Sequence, residues 1–325
     1  MDTSHRSGST EGGAVKLVLG YLYPTIMSQY GDRGNVICLT QRCRWRGIDV
    51  EVVELGLNAP VDPDAVDILL MGGGADSHQR IIAEDLRTVK GAGIRRAVED
   101  GAAALMICGA YQLWGHFYRT YDGETLEGLG VFDAHSVHRA NQLGARLDTI
   151  TQAGRVRAVQ NLVIQWGERT LVGFENHGGR TYLADGAQPL GRVLVGGGNN
   201  SEDGWEGCVY KNAIGTYLHG SVLPKNPHLA DHLIAAAVER RTGTRELEPL
   251  DDRLEWETHD RAMEEALRGA RATRLRSFRA STVGHSLLTA IPRRFSARSR
   301  SGSTAGPSDD ASKGQQAFGP GAQSA

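Results

Sequence analysis

The sequence is poor in cysteine. Its 325 residues carry four, Cys38, Cys43, Cys108 and Cys208, with no CxxC pair and no disulfide framework. Reduced thiols in a cytoplasmic protein are the expected state. No run of about 18 or more apolar residues occurs, so no membrane span is expected. Charge of one sign is lacking too: 36 basic residues face 38 acidic ones, for a net charge of -2. Such balance gives no global field toward nucleic acid or anionic lipid. There is no GxxxxGK[ST] loop for nucleotide phosphates, and no HxxxH or paired Cys/His spacing for a metal. The polar stretch Met1 to Gly13 has no basic head followed by an apolar run, which excludes a secretory signal. Residues 1–14 are expected to be a disordered leader.

What is present is an alternation of short apolar strands and amphipathic helices up to about Arg240. Strands are expected at Val15 to Leu22, Asp49 to Leu55, Ile68 to Met71 and Ala103 to Ile107. Helices are expected at Asn35 to Arg46, at Leu86 to Glu99 and from Gln112 to Tyr118. This rhythm predicts an α/β fold with a mostly parallel central sheet and helices on both faces. Leu129 to Val209 reads as strands and turns, Ile214 to His219 as a strand, and Leu229 to Arg240 as a closing helix. One domain is therefore expected over residues 15–242. Residues 243–325 read as a helix-prone stretch, Pro249 to about Arg276, and then a Ser-, Arg- and Gly-rich disordered tail. The basic part, Arg271 to Arg300, is read as solvated.

Leu105 to Gln112 carries the most chemistry. An apolar strand delivers Cys108 into a turn that opens a helix, with Gly109 allowing a sharp bend. A helix N-terminus favours a thiolate and lowers its pKa. A structural buried cysteine is the plain alternative. Gly72, Gly73 and Gly74 follow the third strand and can expose backbone N–H groups to an oxyanion. A thiol nucleophile needs a base, and His219, before Gly220 at a strand end, is the candidate. His177, in Phe174 to Thr181, competes with it.

Together these residues resemble the class I glutamine amidotransferases of the cobyric-acid-synthase type, and most closely the GatD-like chains of lipid II isoglutaminyl synthase. The similar stretches are Tyr30-Gly31-Asp32-Arg33-Gly34-Asn35, Met71 to Gly74, Ile107 to Gln112, Gly173 to Thr181, Gly215 to Gly220 and Leu223 to Pro227. They span about Lys16 to Arg240. The resemblance implies that Cys108 attacks the carboxamide of L-glutamine and that His219 serves as general base. It implies an oxyanion hole from Gly73, with Gly74 beside it, and the N–H of Gly109. Gln112 would contact the bound glutamine. Ammonia would pass to a MurT-like synthetase of the Mur-ligase family, which amidates the D-glutamate α-carboxyl of a lipid-linked cell-wall precursor. ATP and Mg²⁺ belong to that partner, and no cofactor or metal is expected in this chain.

Three positions depart from the family pattern. Many relatives carry a carboxylate two residues after the histidine, where Ser221 stands here, so either a Cys–His dyad suffices or a third group comes from elsewhere, as from the partner. The family's substrate-holding arginine falls at Gln142 or Arg157 depending on the register, and Arg157 keeps the charge. The tail after about Arg240 has no family counterpart, so truncation after Thr244 is expected to leave activity unchanged. Rival readings are an amidotransferase subunit for another acceptor, a cysteine peptidase of related fold, and a catalytically silent binding subunit. Cys108-dependent ammonia from L-glutamine separates the amidotransferase readings from the other two: with Cys108→Ala its release should vanish while the circular dichroism spectrum is retained.

Overall fold

The computed structural model describes residues 15–143 and 156–288. The expected leader and the end of the expected tail, 289–325, lie outside the described residues. The central sheet has six strands in the order β13-β14-β4-β3-β1-β2. These are β1 (Lys16–Leu22), β2 (Asp49–Leu55), β3 (Ile68–Met71), β4 (Ala103–Ile107), β13 (Cys208–Tyr210) and β14 (Ala213–Thr216). All neighbours pair in parallel except the edge strand β13, which runs antiparallel to β14. Every residue of β3, β4 and β14 is buried, so both faces of the sheet are covered. That explains why these strands read as unbroken apolar runs rather than alternating ones.

Helix α1 (Arg33–Trp45) and helix α6 (Pro227–Thr242) pack together against the sheet. Helix α2 (Asp76–Asp85) runs through a wide turn, Leu86–Lys90, into α3 (Gly91–Glu99), and contributes Ile82, Leu86, Ile94 and Val98 to the same core. The sequence-based helix at Leu86 to Glu99 is therefore only the second half of a longer one. Its first half is hidden by the polar run Asp76 to Arg80. The helix after Cys108, α4 (Gly109–Trp114), starts earlier and stops sooner than expected, because Phe117–Arg119 forms strand β5. Strands β6 (Thr125–Glu127), β7 (Ala134–His138) and β10 (Gly179–Leu183) join β5 in a four-stranded sheet. Helix α5 (Arg139–Leu143) follows β7. A second four-stranded sheet holds β8 (Ala158–Trp166), β9 (Arg169–His177), β11 (Gly191–Val195) and β12 (Trp205–Glu206).

Asp67, fully buried, ties the sheet to α6. It accepts the Val18 N–H at 2.7 Å and pairs with Arg240 and Arg241. Packing does not stop at residue 242. Helix α7 (Arg253–Leu288) buries His259 and Ala266, the latter against Val163 and Val172. His259 also bonds Thr170 and the Lys225 carbonyl. Arg42, 2% exposed, holds Asp231 at 2.8 Å and Asp252 at 2.6 Å, which binds the segment before α7 to α1 and α6. The chain divides into two compact units between Leu275 and Arg276. Removing one partner of a buried ion pair leaves an uncompensated charge. Truncation after Thr244 should therefore lower the melting temperature by several degrees, whereas truncation after Leu275 should leave it unchanged by calorimetry.

Candidate active site

In the parallel ladder Ile107 of β4 lies opposite Thr216 of β14. The Cys108 N–H extends that ladder by one step, donating to the Thr216 carbonyl at 2.8 Å. Cys108 itself has φ 53° and ψ -104°. For a residue with a side chain this is a strained conformation of the kind kept where a site requires it. The turn aims the thiol off the carboxyl end of β4, and the Gly109 N–H bonds to it. Three residues beyond Thr216, His219 sits fully buried. Its backbone pairs with Phe174, and the Phe174 ring stacks on its imidazole at 5.6 Å.

Gly73 shows how close the groups come. A methyl built there would lie 3.0 Å from His219 Cε1, 3.4 Å from Cys108 Cβ and 3.7 Å from Asp32 Oδ2. A side chain at Gly73 would press on both Cys108 and His219. The structure thus brings Cys108, His219, Gly73 and Gly109 to one place. Gly74 adjoins them, and its carbonyl accepts a bond from Gln79.

A cavity of about 690 Å³ opens beside the thiol, lined among others by Cys108, Gln112, His177, Arg157 and Gln79. That lies within the roughly 300–1,000 Å³ typical of small-ligand sites. Gln112 is held from both ends: it accepts from Gln79 Nε2 at 3.0 Å and donates to the Tyr217 hydroxyl at 3.2 Å. Arg157 reaches the wall from the start of β8 and donates to Asn176 Oδ1 at 2.7 Å. Gln142 is off this wall, donating to the Tyr182 hydroxyl.

His177 is engaged at both ring nitrogens, by the Gly179 carbonyl at 2.7 Å and Glu175 at 3.1 Å, and stacks on Tyr217 at 3.7 Å. It is built in as a structural element rather than poised to accept a proton.

The electrostatics correct one expectation. Burial pushes the Cys108 thiol up to about 12, with the Asp32 carboxylate adding to the rise, while Arg157 and the Gly109 N–H oppose it. Burial, then the His177 and Arg157 charges, push His219 down to about 3. Burial therefore works against the thiolate expected from the helix terminus, and equally against an imidazolium at His219. A neutral imidazole is the form that accepts a proton.

Sequence reasoning attached no role to Glu206. Fully buried, it accepts from the Thr216 hydroxyl at 2.9 Å and the Tyr217 N–H at 2.5 Å, which fixes the end of β14 ahead of His219. Burial raises its carboxyl to about 8. Ser221 donates to the Gly31 carbonyl at 2.6 Å, and a methyl at Gly34 would lie 2.2 Å from its Oγ.

Strand-end cysteine, buried histidine and glycine loop thus meet at the carboxyl ends of β3, β4 and β14. Residues 18–227 match the CobB/CobQ-like glutamine amidotransferase domain family, and the chain belongs to that family. It is 41% identical over 229 residues to the lipid II isoglutaminyl synthase (glutamine-hydrolyzing) subunit GatD of Staphylococcus aureus (strain N315), covering 70% of this chain and 87% of that one. It is 36% identical over 230 residues to the subunit of the same name from Streptococcus pneumoniae (strain ATCC BAA-255 / R6), covering 70% and 83%. A cobyric acid synthase of Pelotomaculum thermopropionicum is 31% identical over 157 residues, 46% of this chain and 28% of that one.

His219→Ala should lower the rate of ammonia release by about 10²–10⁴, the range for loss of a general base. His177→Ala should instead act mainly on thermal stability. For Arg157→Ala a raised KM for glutamine with little change in kcat is expected. Glu206 is neutral in the fold and ionised in the unfolded chain between about pH 4.5 and 8. Stability is therefore lost as pH rises through that window. Glu206→Gln should raise the melting temperature relative to wild type progressively from pH 5 to pH 8.

Proposed function

We propose that this chain is the glutamine-hydrolysing subunit of a lipid II isoglutaminyl synthase. The observation that carries the proposal is the meeting of Cys108 and His219 at Gly73, with Cys108 on the wall of a cavity that also presents Arg157 and Gln112. Glutamine would lie with its α-carboxylate toward Arg157 and its carboxamide over Cys108, with Gln112 fixing its orientation. Cys108 attacks the carboxamide carbon as its proton passes to His219. The oxygen becomes an oxyanion between the N–H groups of Gly73 and Gly109. His219 returns the proton to the departing nitrogen, the C–N bond breaks, and ammonia leaves a glutamyl thioester on Cys108. Water, deprotonated by His219, then releases glutamate.

Ammonia needs an acceptor, and we assign that role to a MurT-like synthetase of the Mur-ligase family, which would use ATP and Mg²⁺ to activate the D-glutamate α-carboxyl of lipid II. The two GatD relatives support this assignment, since this chain covers most of each. The third group of the triad would come from the same synthetase, because Ser221 occupies the usual position. Lipid II is lipid-linked, yet no helix among the described residues is long and apolar enough to cross a membrane. We place the reaction at the cytoplasmic face, where ATP for the synthetase is found, with the chain itself in the cytoplasm. Ammonia release from L-glutamine should be Cys108-dependent and should rise when the synthetase is added. Amidation of lipid II with glutamine as donor should require both proteins. Amidation that proceeds equally well with Cys108→Ala would reject the assignment.

A further inference from the structure

A buried carboxylate beside the dyad has no part in the proposed reaction. Asp32 lies just before α1, between the exposed residues Gly31 and Arg33, yet is itself fully buried. Its Oδ2 accepts the Gly73 N–H at 2.7 Å. Its Oδ1 is buried with no hydrogen-bond partner. The N–H that an oxyanion would need is thus already satisfied, and by a group of the same charge as the oxyanion.

We propose that Asp32 is a positioning residue that holds the oxyanion donor closed in the isolated chain, and that glutamine is turned over only when its carboxylate is withdrawn or neutralised. The inference rests on the glutaminase reading of the site and deepens it. Two observations carry it besides the bond itself. An anion at the Gly73 N–H competes with the developing oxyanion for one donor and repels it. In addition, the segment that carries Asp32 is clamped to the turn after His219, through the Ser221–Gly31 bond and the close seat of Gly34 on Ser221. A displacement of that clamp moves the oxyanion donor's blocker and the histidine turn together. This would link activation to whatever docks at the surface residues Gly31 and Arg33.

The titratable and charged groups around Asp32 are Tyr21 on β1, Cys108 at the head of α4, His219 beyond β14, and its neighbour Arg33. Burial raises the Asp32 carboxyl to about 7 against the pull of the Gly73 N–H. It is therefore neutral below that pH and charged above it. His219 stays neutral across the same range.

The test uses the full chain without a partner, as wild type, Asp32→Asn and Asp32→Ala, each with and without Cys108→Ala. At pH 8 both Asp32 variants should release ammonia about tenfold faster or more, part of the 10²–10³ that one oxyanion donor is worth. KM should stay unchanged. The ratio of Asp32→Asn to wild type should shrink from pH 8 to pH 6, as the wild-type carboxyl takes up its proton. A variant no faster than wild type at pH 8, or a ratio flat with pH, overturns the inference while Cys108-dependent ammonia keeps the glutaminase reading. Ammonia that survives Cys108→Ala overturns that reading instead. Should both variants fail to fold, the wild-type Gly73 amide resonance decides. It should titrate with a midpoint near pH 7, and a pH-invariant resonance would refute the contact.

Discussion

The site depends on one backbone hydrogen bond, from the Cys108 N–H to the Thr216 carbonyl. It carries the β4–β14 ladder one step past the end of β4 and commits Cys108 to positive φ. From there Gly109 can start a helix immediately, and the thiol is turned toward Gly73 rather than into the core. On the other side of the bond, Glu206 fixes Thr216 and Tyr217, so the short run to His219 has little freedom. Cys108 and His219 are thus positioned by two neighbouring strands of a sheet whose central strands are wholly buried.

Burial then sets the chemistry. Burial raises the Cys108 thiol and lowers the His219 imidazole, because each charged form is penalised. In the proposed reaction charge would form against prepared donors, here the Gly109 N–H, Arg157 and, once free of Asp32, the Gly73 N–H. For a subunit whose product is meant for another protein, slow hydrolysis in isolation avoids wasting glutamine.

Much of this was legible in the sequence. The short strands β3 and β4 were found end to end because full burial makes them uniformly apolar, and Cys108 and the glycines follow directly from their ends. His219 could be preferred over His177 only weakly, since both follow strands. The structure separates them by the partners at the His177 ring nitrogens. Asp32 stood in a noticed motif but had no role, because its contact with Gly73 joins residues far apart in the chain. Helix α2 was missed since its first turn is polar. The packing of α7 was missed because its buried residues, such as His259 and Ala266, are too sparse to mark an apolar face.

The central claim is that Cys108 becomes acylated by glutamine with His219 as its base. It is tested most directly by acid-quenching the chain with L-glutamine and mapping the adduct by mass spectrometry, with and without His219→Ala. The account predicts a hydroxylamine-labile γ-glutamyl group on Cys108 alone, formed far more slowly in the histidine variant. An adduct on Cys38, Cys43 or Cys208, or ammonia release with no acyl group on Cys108 at any time, would contradict it.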